Sequence, residues 1–222
     1  MEEGKVAGLK SLTILLGSIG VITIVGVTLY LLLAGPNYCP EIDNMNESNP
    51  ITEFSVQIVG DSLFGADADG CASVSTFMSL ILWLQVEDNS VPGATVIGDE
   101  SIPEQYVSGD WNWTVINGGA NDIMPHCTEN DCDEVLDEII TDSGEGLIPD
   151  LVEKAQNDGS NVILIGYYSV PKGSEYEPVI LEVEIVNDRY NEFAKANEGV
   201  YFISLKDVMS PEETAHLYSD DL

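Results

Sequence analysis

The stretch Phe54-Ser-Val-Gln-Ile-Val-Gly-Asp-Ser-Leu63 joins an apolar run to a turn that contains glycine. An apolar run bounded by such a turn predicts a β-strand from Phe54 to Val59. A serine directly after a strand, where the chain turns into a helix, exposes its hydroxyl beside outward-pointing backbone N–H groups. Ser62 is therefore the first candidate for a reactive side chain.

Short apolar runs and helical patterns alternate along the chain after this stretch. Further strands are predicted at Leu84–Val86, Trp111–Ile116, Asn161–Gly166 and Val200–Leu205. Helices are predicted at Val74–Leu82, Leu136–Ile140, Ile148–Gln156 and Glu177–Ala196, the last with Leu181, Ile185 and Phe193 on one face. Strands that alternate with helices favour right-handed crossovers, which place helices on both faces of a parallel sheet. The sequence thus predicts an α/β domain with three layers, α/β/α, around a parallel five-stranded sheet.

An uncharged segment precedes this domain. Residues 12–34 contain no charged side chain and are long enough to cross a hydrocarbon core of about 30 Å. Lys5 and Lys10 lie before the segment, which favours a cytoplasmic N-terminus and an exported remainder. We expect an uncleaved signal anchor, with a cleaved signal peptide as the alternative. The expected division is a cytoplasmic end at 1–11, the transmembrane anchor at 12–34, a linker at 35–52 and one domain at 53–222.

The chain is strongly acidic, and nearly all of its acidic residues lie in the part that is expected to be exported. The sequence has 39 acidic and 7 basic residues, a formal charge of -32, and 37 of the acidic residues follow residue 35. Such a surface repels phosphate, which argues against a nucleic-acid partner. An apolar fraction of 44% argues against a disordered chain, because it supplies enough surface to bury.

Four cysteines in an exported chain tend to pair. Cys127 and Cys132 enclose only four residues and are the natural local pair, which leaves Cys39 and Cys71 to each other or free. A zinc site that recruits His126 beside Cys127 is a weaker alternative, because its ligand set is incomplete.

Three polar turns follow predicted strands, so they should meet at the carboxyl edge of the sheet, where such folds bind ligands. They are Gly60-Asp61-Ser62-Leu63, Asn89-Ser-Val-Pro-Gly93 and Gly118-Gly-Ala-Asn121-Asp122. A serine nucleophile needs a base, and the tetrahedral intermediate needs donors for its oxyanion. The N–H groups of Ser62 and Gly93 and the side-chain amide of Asn121 could supply such an oxyanion hole. Asp61 and Asp122 are expected to brace their turns rather than to act on substrate.

These turns resemble the sequence blocks of the SGNH hydrolases, also called the GDSL esterase/lipase family, over about residues 52–222. The three turns correspond, in chain order, to the first three blocks of the family. For the second block, Gly98-Asp99 is a weaker candidate than Gly93. The resemblance implies a flavodoxin-like fold and an esterase that cleaves carboxylic esters through an acyl-enzyme on Ser62. It implies no cofactor and no metal, and as substrate a small-molecule, lipid or carbohydrate ester.

The fourth family block, Asp-x-x-His, is met only in part. Asp220 is placed like its aspartate, but the chain ends at Leu222, one residue before the expected histidine. We therefore expect a fragment of a longer protein, nearly inactive by itself, with His216 as a less favoured substitute base. The alternative function is a non-catalytic binding module or an acyltransferase on the same fold.

Overall fold

The computed structural model describes residues 54–65, 74–75, 78–79, 85–127, 132–169, 173–174 and 176–207. Within these residues five strands form one sheet in the order β2-β1-β3-β4-β5, and every neighbouring pair is parallel. The strands are β1 (Ser55–Val59), β2 (Gln85–Asp88), β3 (Trp113–Ile116), β4 (Asn161–Gly166) and β5 (Val200–Ser204). The parallel five-stranded sheet predicted from the sequence is confirmed, in the strand order of flavodoxin-like folds.

Helices connect these strands in the way a parallel sheet requires. They are α1 (Ser62–Gly65), α2 (Ile102–Gln105), α3 (Ala120–His126), α4 (Cys132–Ile139), α5 (Leu147–Asn157) and α6 (Ile180–Ala196). Two 3-10 turns, Glu177–Val179 and Leu205–Asp207, precede α6 and follow β5. Residues 74–75 and 78–79 are also helical and lie inside the helix predicted at Val74–Leu82.

The sheet is buried on both faces, which explains its nearly continuous apolar strands. On β4, Val162 and Leu164 belong to one core cluster, whereas Ile163 and Ile165 belong to another. Helices α2 to α6 cover the first face, since each contributes residues to that cluster. The other cluster includes Val74 and Met78 of the helical residues before β2. The three predicted layers are therefore present.

The face of α6 that meets the core differs from the prediction. Leu181 and Ile185 are 66% and 40% exposed. The buried side chains of α6 instead recur at steps of three and four residues, and they are Val183, Val186, Asn187, Tyr190 and Ala194. The prediction was wrong for Leu181 and Ile185, whereas Phe193 packs against the core cluster. The prediction followed the large apolar residues, but the core also accepts a tyrosine and an asparagine whose polar atoms find partners.

Every helix in the described ranges is too short or too polar to cross a bilayer. The anchor predicted at residues 12–34 lies outside those ranges, as does the linker at 35–52.

Candidate active site

The candidate site lies where β1 and β3 end side by side. Val59 of β1 pairs with Ile116 of β3 in the last register position of the two strands. Connections leave these strands in opposite directions across the sheet, because β2 lies beyond β1 and β4 lies beyond β3. Open α/β sheets bind ligands in the crevice at such a reversal. The turns after β1 and β3 are those that carry Ser62 and Asn121.

Ser62 is exposed and begins the short helix α1 directly after the β1 turn. The cap of this turn is Asp61, because its Oδ1 accepts the N–H of Leu63 at 2.9 Å. Among the described residues no hydrogen bond occupies the Ser62 hydroxyl. Asp61 rather than Ser62 therefore caps this turn, and the Ser62 side chain is open to solvent.

Gly60, at the start of this turn, is held by a side chain that the sequence did not single out. Gln105 Oε1 accepts the Gly60 N–H at 2.7 Å, and Gln105 Nε2 donates to the Gly60 carbonyl at 3.1 Å. A Cβ at position 60 would lie 2.6 Å from Asn117 Oδ1 and 2.9 Å from Phe64. Glycine is therefore required here by close packing, and the turn that carries Ser62 is held against α2 and the end of β3.

Asn121 is the second residue of α3 and points toward the loop after β2. Its Nδ2 donates to the Ala94 carbonyl at 2.9 Å. A primary amide has two N–H hydrogens, and this bond uses one of them. Gly93 lies next to Ala94, is exposed and has a φ of 80°. The structure thus brings Asn121 to the Gly93 loop, and the second amide hydrogen can serve a ligand.

Gly98, the weaker candidate for the same role, lies further along this loop. The two backbone N–H groups before it, those of Val96 and Ile97, donate to the Asp122 carboxylate at 2.8 and 2.9 Å. Asp122 therefore holds the loop in place, as expected. The two backbone N–H groups before Gly98 are used in these structural hydrogen bonds.

Two buried carboxylates lie under the site. Asp61 and Asp122 are each 2% exposed. Burial raises the pKa of Asp61, and hydrogen bonds from the Tyr167 hydroxyl and the Leu63 N–H oppose that rise. Burial also raises the pKa of Asp122 against the hydrogen bonds of its loop, and the charge of Asp61 raises it further. Both carboxylates thus hold the turns beneath the site by hydrogen bonds, and their burial costs desolvation free energy.

Acidification from neutral pH should therefore stabilise the fold through these two groups. Their pKa values in the folded protein lie above the ordinary value of 3.8, so between the two values the folded state binds more protons than the unfolded state. Stability is then greatest below the ordinary value and falls as pH rises through the raised folded pKa values. Urea unfolding at a series of pH values measures this slope.

The net charge also contributes to that slope, so variants isolate the buried groups. Asp61→Asn and Asp122→Asn should each flatten the pH dependence of unfolding, whereas Asp133→Asn on the exposed start of α4 should not. Equal slopes in all three variants would contradict a role for the buried carboxylates.

Cys127 and Cys132 form a disulfide, with their Cα atoms 4.6 Å apart. The bridge joins the end of α3 to the start of α4, so it closes the segment that begins at Asn121. It also removes Cys127 as a thiolate ligand for the alternative zinc site. Within the described ranges no three His, Cys, Asp or Glu side chains gather as a metal site.

We expect this disulfide to be recovered in the protein isolated without reducing agent. A non-reducing digest analysed by mass spectrometry should yield one linked peptide pair containing Cys127 and Cys132. Reduction should weaken stability modestly, since the closed loop is short and a 15-residue loop gives only about 3 kcal/mol in the chain-entropy model. Free thiols at both positions, or bridges to Cys39 or Cys71, would refute the pairing.

Several predicted residues lie outside the described ranges. They are Asp220, His216, Cys39 and Cys71. The described site therefore contains Ser62, Gly93 and Asn121 of the predicted set, and their catalytic roles stay predictions. The sequence analysis missed Gln105, Asn117 and Tyr167, which hold the two turns.

Comparison with solved structures finds proteins of the same architecture. One is an acetylxylan esterase from Geobacillus stearothermophilus, solved as a catalytic mutant. Its alignment has a TM-score of 0.56 at 16% sequence identity and spans 77% of this chain and 84% of the esterase. Another is a protein from Desulfitobacterium hafniense described as a lipolytic protein of the G-D-S-L family, with a TM-score of 0.50 at 15% identity over 68% of this chain and 76% of that protein. The sequence matches no protein-family model and no curated protein. The resemblance in fold is confirmed, and this chain has the architecture of the GDSL, or SGNH, hydrolases.

Proposed function

We propose that this protein is a serine esterase that cleaves carboxylic esters through an acyl-enzyme on Ser62. The observation that carries the proposal is the exposed Ser62 hydroxyl at the β1–β3 reversal, on a turn fixed by Gln105 and Asp61. The fold neighbours, an acetylxylan esterase and a G-D-S-L lipolytic protein, support an ester as substrate.

In the proposed reaction the Ser62 Oγ attacks the ester carbonyl carbon and passes its proton to a histidine base. We propose that this base lies three residues after Asp220, which would orient it. The oxyanion accepts hydrogen bonds from the N–H groups of Ser62 and Gly93 and from the free amide hydrogen of Asn121. The alcohol leaves with the proton from the base. Water then attacks the acyl-enzyme, and the carboxylic acid and free Ser62 are released.

The charge of the domain bears on the substrate class. Among the described residues each Lys or Arg side chain is engaged: Arg189, Lys195 and Lys206 in ion pairs and Lys154 over the Tyr106 ring. No described cation is left to bind an anionic substrate, and the net charge of -32 repels one. We therefore propose that the substrate is a neutral or cationic ester, such as an acetylated saccharide. We also propose that residues 12–34 anchor the enzyme in the membrane, with the domain on its extracytoplasmic side.

A fluorophosphonate probe tests the proposal directly. Mass spectrometry should find the adduct on the peptide that carries Ser62. Esters of one acid with neutral, cationic and anionic alcohols should then be compared, and the anionic ester should be hydrolysed most slowly. The absence of any labelled serine, or an adduct elsewhere, would exclude the mechanism.

A further inference from the structure

Tyr167 connects the two turns that carry the candidate catalytic groups. It directly follows β4, and its side chain is buried. Its hydroxyl lies 2.6 Å from Asp61 Oδ2, in the turn after β1, and 3.1 Å from the backbone nitrogen of Ala120, the first residue of α3. One hydroxyl group therefore contacts the residue before Ser62 and the residue before Asn121.

Hydrogen-bond chemistry fixes the direction of this bridge. The Ala120 N–H can only donate, so the Tyr167 oxygen accepts there and its hydrogen points to Asp61. The other oxygen of Asp61 accepts the N–H of Leu63 at 2.9 Å. All of these buried groups are satisfied when Asp61 is ionised and Tyr167 is neutral. Removing the hydroxyl would leave both the Asp61 oxygen and the Ala120 N–H without this partner.

Tyr167 is itself held in place by α6. Its N–H donates to Asn187 Oδ1 at 2.8 Å, and Asn187 Nδ2 donates to its carbonyl at 3.1 Å. The preceding residue is Gly166, where a Cβ would lie 2.6 Å from Asn187 Oδ1. The hydroxyl is thus placed by a strand and a long helix rather than by a loop, which is how a site gains precise geometry.

We propose that Tyr167 is a positioning residue that sets the spacing between the Ser62 hydroxyl and the Asn121 donor. This inference rests on the proposed esterase function. It assigns no contact between Tyr167 and substrate, because the hydroxyl is buried between protein groups. The effect on the reaction is expected through geometry, since a displacement of about 1 Å can lower a rate about 100-fold.

The ionisable groups around Asp61 provide a second readout. Tyr167 faces it from the end of β4, and the charges of Asp61 and Asp122 both act on Tyr190 of α6. Asp122 of α3 is coupled to Asp61 as a like charge. In the described ranges no ion pair reaches Asp61. The hydrogen bond from Tyr167 lowers the pKa of Asp61 against the effect of burial, so its loss should raise that pKa.

The test compares Tyr167→Phe with Tyr106→Phe. Tyr106 is another buried tyrosine, and its hydroxyl donates to Asp158 Oδ2 at 2.9 Å after the end of α5, so the control loses a hydroxyl that bonds a carboxylate but touches neither turn. We expect Tyr167→Phe to lower kcat by about 10- to 100-fold with KM little changed. The pKa of Asp61, followed by the NMR shift of its carboxyl carbon, should rise in this variant. The control should keep kcat within about three-fold and leave the pKa of Asp61 unchanged.

Hydrogen exchange gives a readout that needs no activity. The Leu63 N–H should exchange faster in Tyr167→Phe than in the control, because the Asp61 acceptor has lost its second anchor. If the wild-type protein is labelled at Ser62 but the two variants behave alike, the positioning role is wrong and the esterase function stands. If the wild-type protein takes no label, the proposed function fails. The exchange rate of Leu63 alone then decides whether Tyr167 orders the turn.

A fluorinated tyrosine keeps the test decisive if Tyr167→Phe does not fold. Fluorine makes the phenol a stronger donor without removing the hydroxyl. Replacement of Tyr167 by 3-fluorotyrosine should therefore lower the pKa of Asp61, whereas the same replacement of Tyr106 should leave it unchanged. An unchanged Asp61 pKa in the Tyr167 replacement would overturn the proposal.

Discussion

The Ser62→Ala variant of the full-length protein should fold normally and lose ester hydrolysis by roughly 10⁴- to 10⁶-fold, as removal of a serine nucleophile does elsewhere. The expected loss is large because Ser62 is the proposed nucleophile, and no acyl-enzyme can form without its hydroxyl. Stability should change little, since the side chain is exposed and its hydroxyl bonds to no described residue. Hydrolysis of a neutral aryl ester and fluorophosphonate labelling measure the loss.

Ser143→Ala is a suitable control for this variant. Ser143 is also exposed, and it lies between α4 and α5, outside the β1–β3 reversal. Its substitution should leave hydrolysis and labelling unchanged. Labelling of Ser62→Ala at the wild-type rate would remove Ser62 from the mechanism.

Asn121→Ala should lower kcat by about 10²- to 10³-fold, or about 2.7–4 kcal/mol of barrier, as loss of one oxyanion donor typically does. The side chain is half-buried and uses one hydrogen for the Ala94 carbonyl, which leaves the other for the oxyanion. KM should change little, because the oxyanion forms after the substrate has bound. Steady-state kinetics with a neutral ester separate the two constants.

Asn197→Ala is the control for the structural effect of removing an asparagine amide. Asn197 is half-buried, and its Nδ2 donates to the Phe193 carbonyl at 2.8 Å after the end of α6. Both substitutions thus remove an amide that bonds one backbone carbonyl. A comparable fall in kcat for the two variants would mean that Asn121 acts only through folding.

The sheet was predictable because its signals are local. Strand β4 was predicted at its observed bounds, and five of its six residues are buried. Strand β3 begins two residues later than predicted, at Trp113. The side chain of Asn112 instead accepts the Ser55 N–H at 2.7 Å before the strand starts. A tryptophan-rich run favours a strand, but it does not show which residue makes the first ladder bond.

The groups that hold the site were not predictable, because their partners are distant in sequence. Gln105 lies 45 residues from Gly60, and Tyr167 lies 106 residues from Asp61. Neither belongs to a local motif, and each would pass as an ordinary helix or strand-end residue. The turns that carry Ser62 and Asn121 were found because the chemistry they support needs short, recognisable sequences.

The span of the Asp61–Tyr167 hydrogen bond has a consequence for the newly made chain. The ribosome must add 106 residues after Asp61 before its partner exists, which at about 5–20 residues per second takes roughly 5–20 s. Until β4 has emerged and paired, Ser62 lies in a turn without this support. The proposed ester cleavage would therefore begin only after most of the sheet had formed.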